Sequence, residues 1–137
     1  MTTSRVTYHN SLRCEWNHTE SGVTIWSDAP KDNRGQGACF SPTDLLATSL
    51  AGCMLTIMGI YCLDRDIPFK GSFAKVTKVM SQELPRRVSE IQVHIEVISP
   101  GLSQQHKQGL QKAAQTCPVA LSLSPEIKQT IAFEFRT

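Results

Sequence analysis

The chain is 137 residues long and sets 14 Lys and Arg against 12 Asp and Glu, a net charge of +2 at pH 7. That length suits one domain with a real core, and charges spread this evenly form no basic stripe to neutralise phosphates, which excludes nucleic acid as an expected partner. Five cysteines, Cys14, Cys39, Cys53, Cys62 and Cys117, contain no CxxC pair, and the opening MTTSRVTYHN lacks an apolar signal segment. The expectation is a cytoplasmic protein with reduced thiols.

Residues 5–10, 12–17 and 22–26 alternate in part, Val6 with Tyr8, Leu12 with Cys14 and Trp16, Val23 with Ile25, and read as a meander of short strands. Residues 27–40 hold Pro30, Asn33, Gly35 and Gly37 with almost no period, so a loop is expected there. Ser41-Pro42-Thr43-Asp44 then starts a helix. Ser41 suits the N-cap, Pro42 the first helical position where its missing N–H costs nothing, and Asp44 the acid of a capping box. From Leu45 to Leu63 the chain runs 19 residues without a charge. A helix with no polar face is buried on most sides. Its length is that of a membrane span, but Thr48, Ser49, Gly52, Thr56 and Gly59 interrupt it, Asp44 and Asp64 flank it, and no positive cluster orients it. A core helix and no membrane are expected.

Pro68 rules out further helix, and residues 69–80 read as a long strand, joined by the polar link 81–87 to the clearest strand of the sequence. There Ile91, Val93, Ile95 and Val97 face one way and Gln92, His94 and Glu96 the other. Pro100-Gly101 stops it, and Ser103 caps a second helix through Thr116. On that helix Leu110, Ala113, Ala114 and Cys117 fall at i, i+3, i+4 and i+7, which carries Cys117 onto the buried face. Pro118 breaks the helix, Val119 to Leu123 make one more short turn, and residues 130–135 form a last strand with Ile131, Phe133 and Phe135 on one face. The fold class expected is α+β, antiparallel sheets around a long buried central helix, in a single domain over residues 1–137.

His9, His18, His94 and His106 have no metal-ligand spacing, no serine lies in a GxSxG elbow, and Gly35-Gln36-Gly37 is only a GxG in a loop. No metal and no cofactor are expected. Cys53, amid an apolar helix, reads by itself as a small core hydrophobe. Cys117, directly before a proline at the junction of two helices, lies where unpaired N–H groups favour a thiolate, although structural cysteines occupy such places too. Cys14, Cys39 and Cys62 read as packing residues.

Ser41-Pro42-Thr43-Asp44-Leu45-Leu46, Ala51-Gly52-Cys53 within the helix and Cys117-Pro118-Val119-Ala120 before the final strand resemble the OsmC/Ohr family, the osmotically inducible and organic hydroperoxide resistance proteins, and most closely its OsmC-like branch. The resemblance covers nearly the whole chain in element order. It implies a swapped homodimer in which sheets of both subunits enclose each central helix. It also implies thiol-dependent reduction of organic hydroperoxides in defence against oxidative stress. Carried over, Cys53 is the peroxidatic nucleophile and Cys117 the resolving thiol, with a small dithiol or a reductase reopening the disulfide. The established peroxidases place a glutamate ten residues before the first cysteine, paired with a loop arginine; here Thr43 stands at that position and Asp44 one residue nearer to Cys53. Arg34 is the first choice for the activating arginine and Asp44 for its acid, with Arg86 or Arg87 as substitutes. The alternative is a dimeric binding protein for an apolar ligand, or a redox sensor with little peroxidase activity.

Overall fold

The computed structural model describes residues 1–136, which hold six strands and three α-helices. The chain divides into two compact units, Met1–Leu46 and the chain from Ala47 onward.

In the first unit β1 (Ser4–Tyr8), β2 (Arg13–His18) and β3 (Thr24–Asp28) form an antiparallel meander in that order. The β1–β2 connection is a tight turn closed by Arg13 N–H donating to the Asn10 carbonyl, with Ser11 and Leu12 both at positive φ, the pair of left-handed residues that matches strand twist. Register places Val6 beside Trp16 and Trp16 beside Ile25 on one face, and Arg13 beside Asp28 on the other. Ser27 and Asp28 of the expected loop belong to β3, and the rest of it is regular only at a 3-10 turn, Lys31–Asn33, which ends on Arg34 in left-handed backbone.

α1 (Pro42–Leu63) begins as its sequence dictates. Ser41 Oγ accepts the Asp44 N–H at 3.0 Å and Asp44 Oδ2 accepts the Ser41 N–H at 2.9 Å, a complete capping box.

The second unit sets α1 against β4 (Phe73–Met80), β5 (Val88–Ile98) and β6 (Lys128–Arg136), with α2 (Gln104–Gln115) and α3 (Pro118–Ser122) between β5 and β6. Its core joins Leu50, Met54 and Met58 of α1 to Ile91, Val93, Ile95 and Val97 of β5 and to Leu110, Ala114 and Cys117. The expected antiparallel pairing holds in the first sheet and between β4 and β5, whereas β6 lies parallel to β5. The cause is the connection: a helical crossover returns the chain to the same end of the sheet, as a hairpin cannot. Strand β4 starts at Phe73, four residues later than the apolar pattern suggests, after a turn at Gly71, whose φ of +87° suits glycine.

One expectation is met only in part. Within one chain α1 buries Ala47, Leu50, Ala51, Met54, Met58 and Cys62, while Ser49, Gly52, Thr56, Ile60 and Leu63 remain exposed. The apolar density is real, but a single copy covers only one side of the helix.

Candidate active site

Helix α1 carries Cys53 near its middle, half-buried, against the apolar core of the second unit. One turn further on, the Thr56 hydroxyl donates to the Gly52 carbonyl at 2.8 Å, keeping the helix surface beside Cys53 small and closed.

Cys117 comes to the same place from the other direction. It follows α2, where the Ser103 hydroxyl accepts the His106 N–H at 3.1 Å as the expected cap, and it is itself the N-cap of α3. Its backbone N–H donates to the Ala114 carbonyl, so the first helix satisfies the backbone while the second uses the side chain. Cys117 Sγ accepts the Ala120 N–H at 3.4 Å, and the side chain is 0% exposed.

The Cys53 and Cys117 thiols are neighbours close enough to act on one another, and both are unoxidised. Their surroundings differ. Burial pushes the Cys117 thiol up from its ordinary value, the adjoining Cys53 sulfur adds to that rise, and the Ala120 and Val119 N–H groups oppose it without prevailing. Cys117 is therefore held as a protonated thiol against the more accessible sulfur of Cys53.

Cys62, two and a half turns after Cys53 on α1, is buried, and burial raises its thiol too, opposed by Arg65. In the first unit Cys14 and Cys39 are half-buried.

The other expected site residues lie in loops or caps. Arg34 is exposed on the loop of the first unit, Asp44 holds the capping box, and Arg86 and Arg87 are exposed on the link between β4 and β5. The first unit contains a charged pair that the sequence did not disclose. Asp28, 1% exposed, lies 3.7 Å from Arg13 Nε through Oδ2, which also accepts the Ala38 N–H; Arg13 Nη2 donates to Gln36 at 2.9 Å. Together these bonds tie the loop to the β1–β2 turn. Alternation already put Arg13 on the face opposite Cys14 and Trp16, but only the strand register brings Asp28, fifteen residues away, beside it. Among the described residues no group of three or more His, Cys, Asp or Glu gathers as a metal site.

A family model described as OsmC-like protein matches residues 35–132, spanning both cysteines and the boundary between the two units. A crystal structure from Psychrobacter arcticus, provisionally named an osmotic stress induced and detoxification response protein, is 48% identical, with 98% of this chain and 96% of that one covered at a TM-score of 0.92. More distant in sequence, an organic hydroperoxide resistance protein OsmC from Legionella pneumophila shares the fold at 15% identity and a TM-score of 0.71, over 98% of each chain. An organic hydroperoxide resistance protein from Elizabethkingia anophelis does so at 16% identity and 0.74, over 99% of this chain and 98% of that one. No curated protein matches the chain.

Proposed function

This chain belongs to the OsmC-like protein family, and from that premise we propose that it is a thiol-dependent peroxidase reducing organic hydroperoxides by a two-cysteine cycle, in cytoplasmic defence against oxidative stress. The observation that carries the reading is the pair of neighbouring thiols in unequal environments, Cys53 half-buried and Cys117 fully buried with its proton favoured by burial.

Cys53 attacks the O–O bond as the thiolate. A sulfur–oxygen bond forms, the alkoxide leaves and takes a proton to become the alcohol, and Cys53 becomes a sulfenic acid. The Cys117 sulfur then displaces hydroxide from Cys53, giving a disulfide and, with the Cys117 proton, one water. A small dithiol or a reductase supplies the two electrons that reopen the disulfide. The apolar core around both sulfurs favours an organic peroxide over hydrogen peroxide. A neighbouring cation steadies an attacking thiolate, and Arg34, exposed and in the segment preceding α1, is the one proposed for Cys53.

The active species is proposed to be a homodimer. Ser49, Gly52, Thr56, Ile60 and Leu63 leave an uncharged stripe along α1, with Leu63 75% and Ile60 49% exposed. Monomers seldom leave such a stripe to water, and small residues along it suit a close helix neighbour.

The test is mass spectrometry of the reduced protein after one equivalent of cumene hydroperoxide, with peptide mapping. The expected product has lost two hydrogens, localised to a Cys53–Cys117 disulfide. Cys53→Ser abolishes peroxide consumption and Arg34→Gln slows it, while both variants sediment as the wild-type dimer at micromolar concentration. Thiols that stay free would sink the peroxidase reading in favour of an apolar-ligand binder, and a compact monomer would sink the dimer.

A further inference from the structure

Gly109 lies inside α2, a position where helix propensity favours almost any other residue. Its neighbour explains it. A methyl group added at Gly109 would come within 2.1 Å of Tyr61 Oη, 2.5 Å of Cζ and 2.7 Å of Cε2, so the tyrosine ring of α1 lies directly on the α2 backbone. Other groups brace the ring. The Arg65 guanidinium stacks over it at 3.7 Å, anchored by a hydrogen bond from Arg65 Nη1 to the Tyr61 carbonyl, and the His106 ring stands edge-on to it at 6.4 Å.

The sequence offsets give this contact its meaning. Tyr61 is eight residues after Cys53, and Gly109 is eight residues before Cys117. Cys53 and Tyr61 are thus about 12 Å apart along the α1 axis, and their partners run the opposite way, Gly109 within α2 and Cys117 two residues beyond its end, with thiol beside thiol at one point and tyrosine on glycine at the other. Two fixed points determine how far one helix slides along the other. The residues that carry them also match in size: Cys53, Ile57 and Tyr61 at i, i+4 and i+8 on α1, and Gly109 and Ala113 on α2, followed at the same spacing by Cys117 just past the helix end.

We propose that Tyr61, seated on Gly109, is a positioning residue that sets the register of α2 along α1 and so brings the Cys117 sulfur to Cys53 for disulfide formation. Its role in turnover rests on the two-thiol cycle above, but the pairing itself can be measured without a peroxide. Oxidised glutathione takes two electrons from the reduced thiols, giving the Cys53–Cys117 disulfide and two molecules of reduced glutathione. The equilibrium constant of that exchange, read by acid quenching and peptide mapping, reports how well the two sulfurs are held together.

The experiment is a double-mutant cycle of Gly109→Ala and Tyr61→Leu in the full chain. Against tyrosine, Gly109→Ala is expected to lower the pairing constant by about 10- to 100-fold, the cost of roughly an ångström of misplacement. In the Tyr61→Leu background, where Cζ and Oη are gone, the same change is expected to cost nothing further. A role confined to helix stability predicts the opposite sign, because alanine is the better helix former. An unchanged constant in Gly109→Ala, or an equal loss in both backgrounds, overturns the proposal. Should Gly109→Ala not fold, Tyr61→Leu alone carries the test: a several-fold loss is expected, and wild-type pairing overturns it. A wild-type chain that pairs its thiols with glutathione yet consumes no hydroperoxide sinks the peroxidase reading and leaves the positioning role standing.

Discussion

Two helices of this chain begin with the same local grammar and different chemistry. Ser41-Pro42 opens α1 and Cys117-Pro118 opens α3; in both, the first residue is buried, proline takes the first helical position, and a side-chain atom accepts the N–H three residues on. At Ser41 the acceptor is oxygen at 3.0 Å, and Asp44 returns a bond to the Ser41 N–H. At Cys117 the acceptor is sulfur at 3.4 Å and no acid answers it, because the Ala114 carbonyl of α2 already takes the Cys117 N–H. Having a helix on both sides relieves Cys117 of half its capping duty. A weak acceptor suffices there, which leaves a reactive atom in a structural position.

The substitution that most sharply breaks the parallel is Cys117→Ser, which writes the first start into the second. Its hydroxyl is expected to keep the Ala120 bond, so the protein folds with a loss of about 1 kcal/mol, the order of burying one more hydroxyl. Peroxide turnover through the disulfide is expected to be abolished, with the Cys53 sulfenic acid accumulating and trapped by a dimedone-type probe. Trapping no greater than in wild type would remove Cys117 as resolver.

The reverse test is milder. Ser41→Ala removes the oxygen and orphans the Asp44 N–H, while the backbone N–H of residue 41 still donates to Asp44 Oδ2, at a cost of about 1–2 kcal/mol. For a chain of this size that is a fall in Tm of roughly 3–8 °C, while Cys53–Cys117 pairing is expected to stay at the wild-type value. A Tm within one degree of wild type would show that the capping box adds nothing to the start of α1.

These two starts also show why some of the fold could be read in advance. Ser41 to Asp44, the alternation from Ile91 to Val97, and the placing of Cys117 with Leu110 and Ala114 are encoded within a few residues each, and all appear as expected. What escaped is what two distant segments decide together. Strand β6 carries a clear alternation, but its direction depends on the crossover that returns it to β5. Arg13 and Asp28 meet only through hairpin register, and Gly109 reads as a blemish in a helix until Tyr61 is seen lying on it. The density of apolar residues in α1 was equally plain, yet the side of the helix left uncovered by its own chain is a property of packing that density does not carry.

The smallest expected effect sharpens the same comparison through pH. Ser41 has no proton to lose, whereas the Cys117 thiol is raised by burial above its ordinary value of 9.0, and Cys62 shares that direction. Below pH 9 each thiol is protonated whether the chain is folded or not, so the contribution is constant and fully present. Above pH 9 the unfolded chain ionises first and the native chain binds more protons, so stability falls as pH rises toward the raised value. The slope is at most about 1.4 kcal/mol per pH unit for each thiol. Urea midpoints measured in a reducing buffer at pH 8, 9 and 10 should therefore fall more steeply for wild type and for Ser41→Ala than for Cys117→Ser, in which only Cys62 remains as a thiol raised by burial. Every other group is common to all three proteins and cancels in the difference. Parallel slopes for wild type and Cys117→Ser would mean that burial does not hold the Cys117 proton, and with it would go the reason for assigning Cys53 the attack and Cys117 the wait.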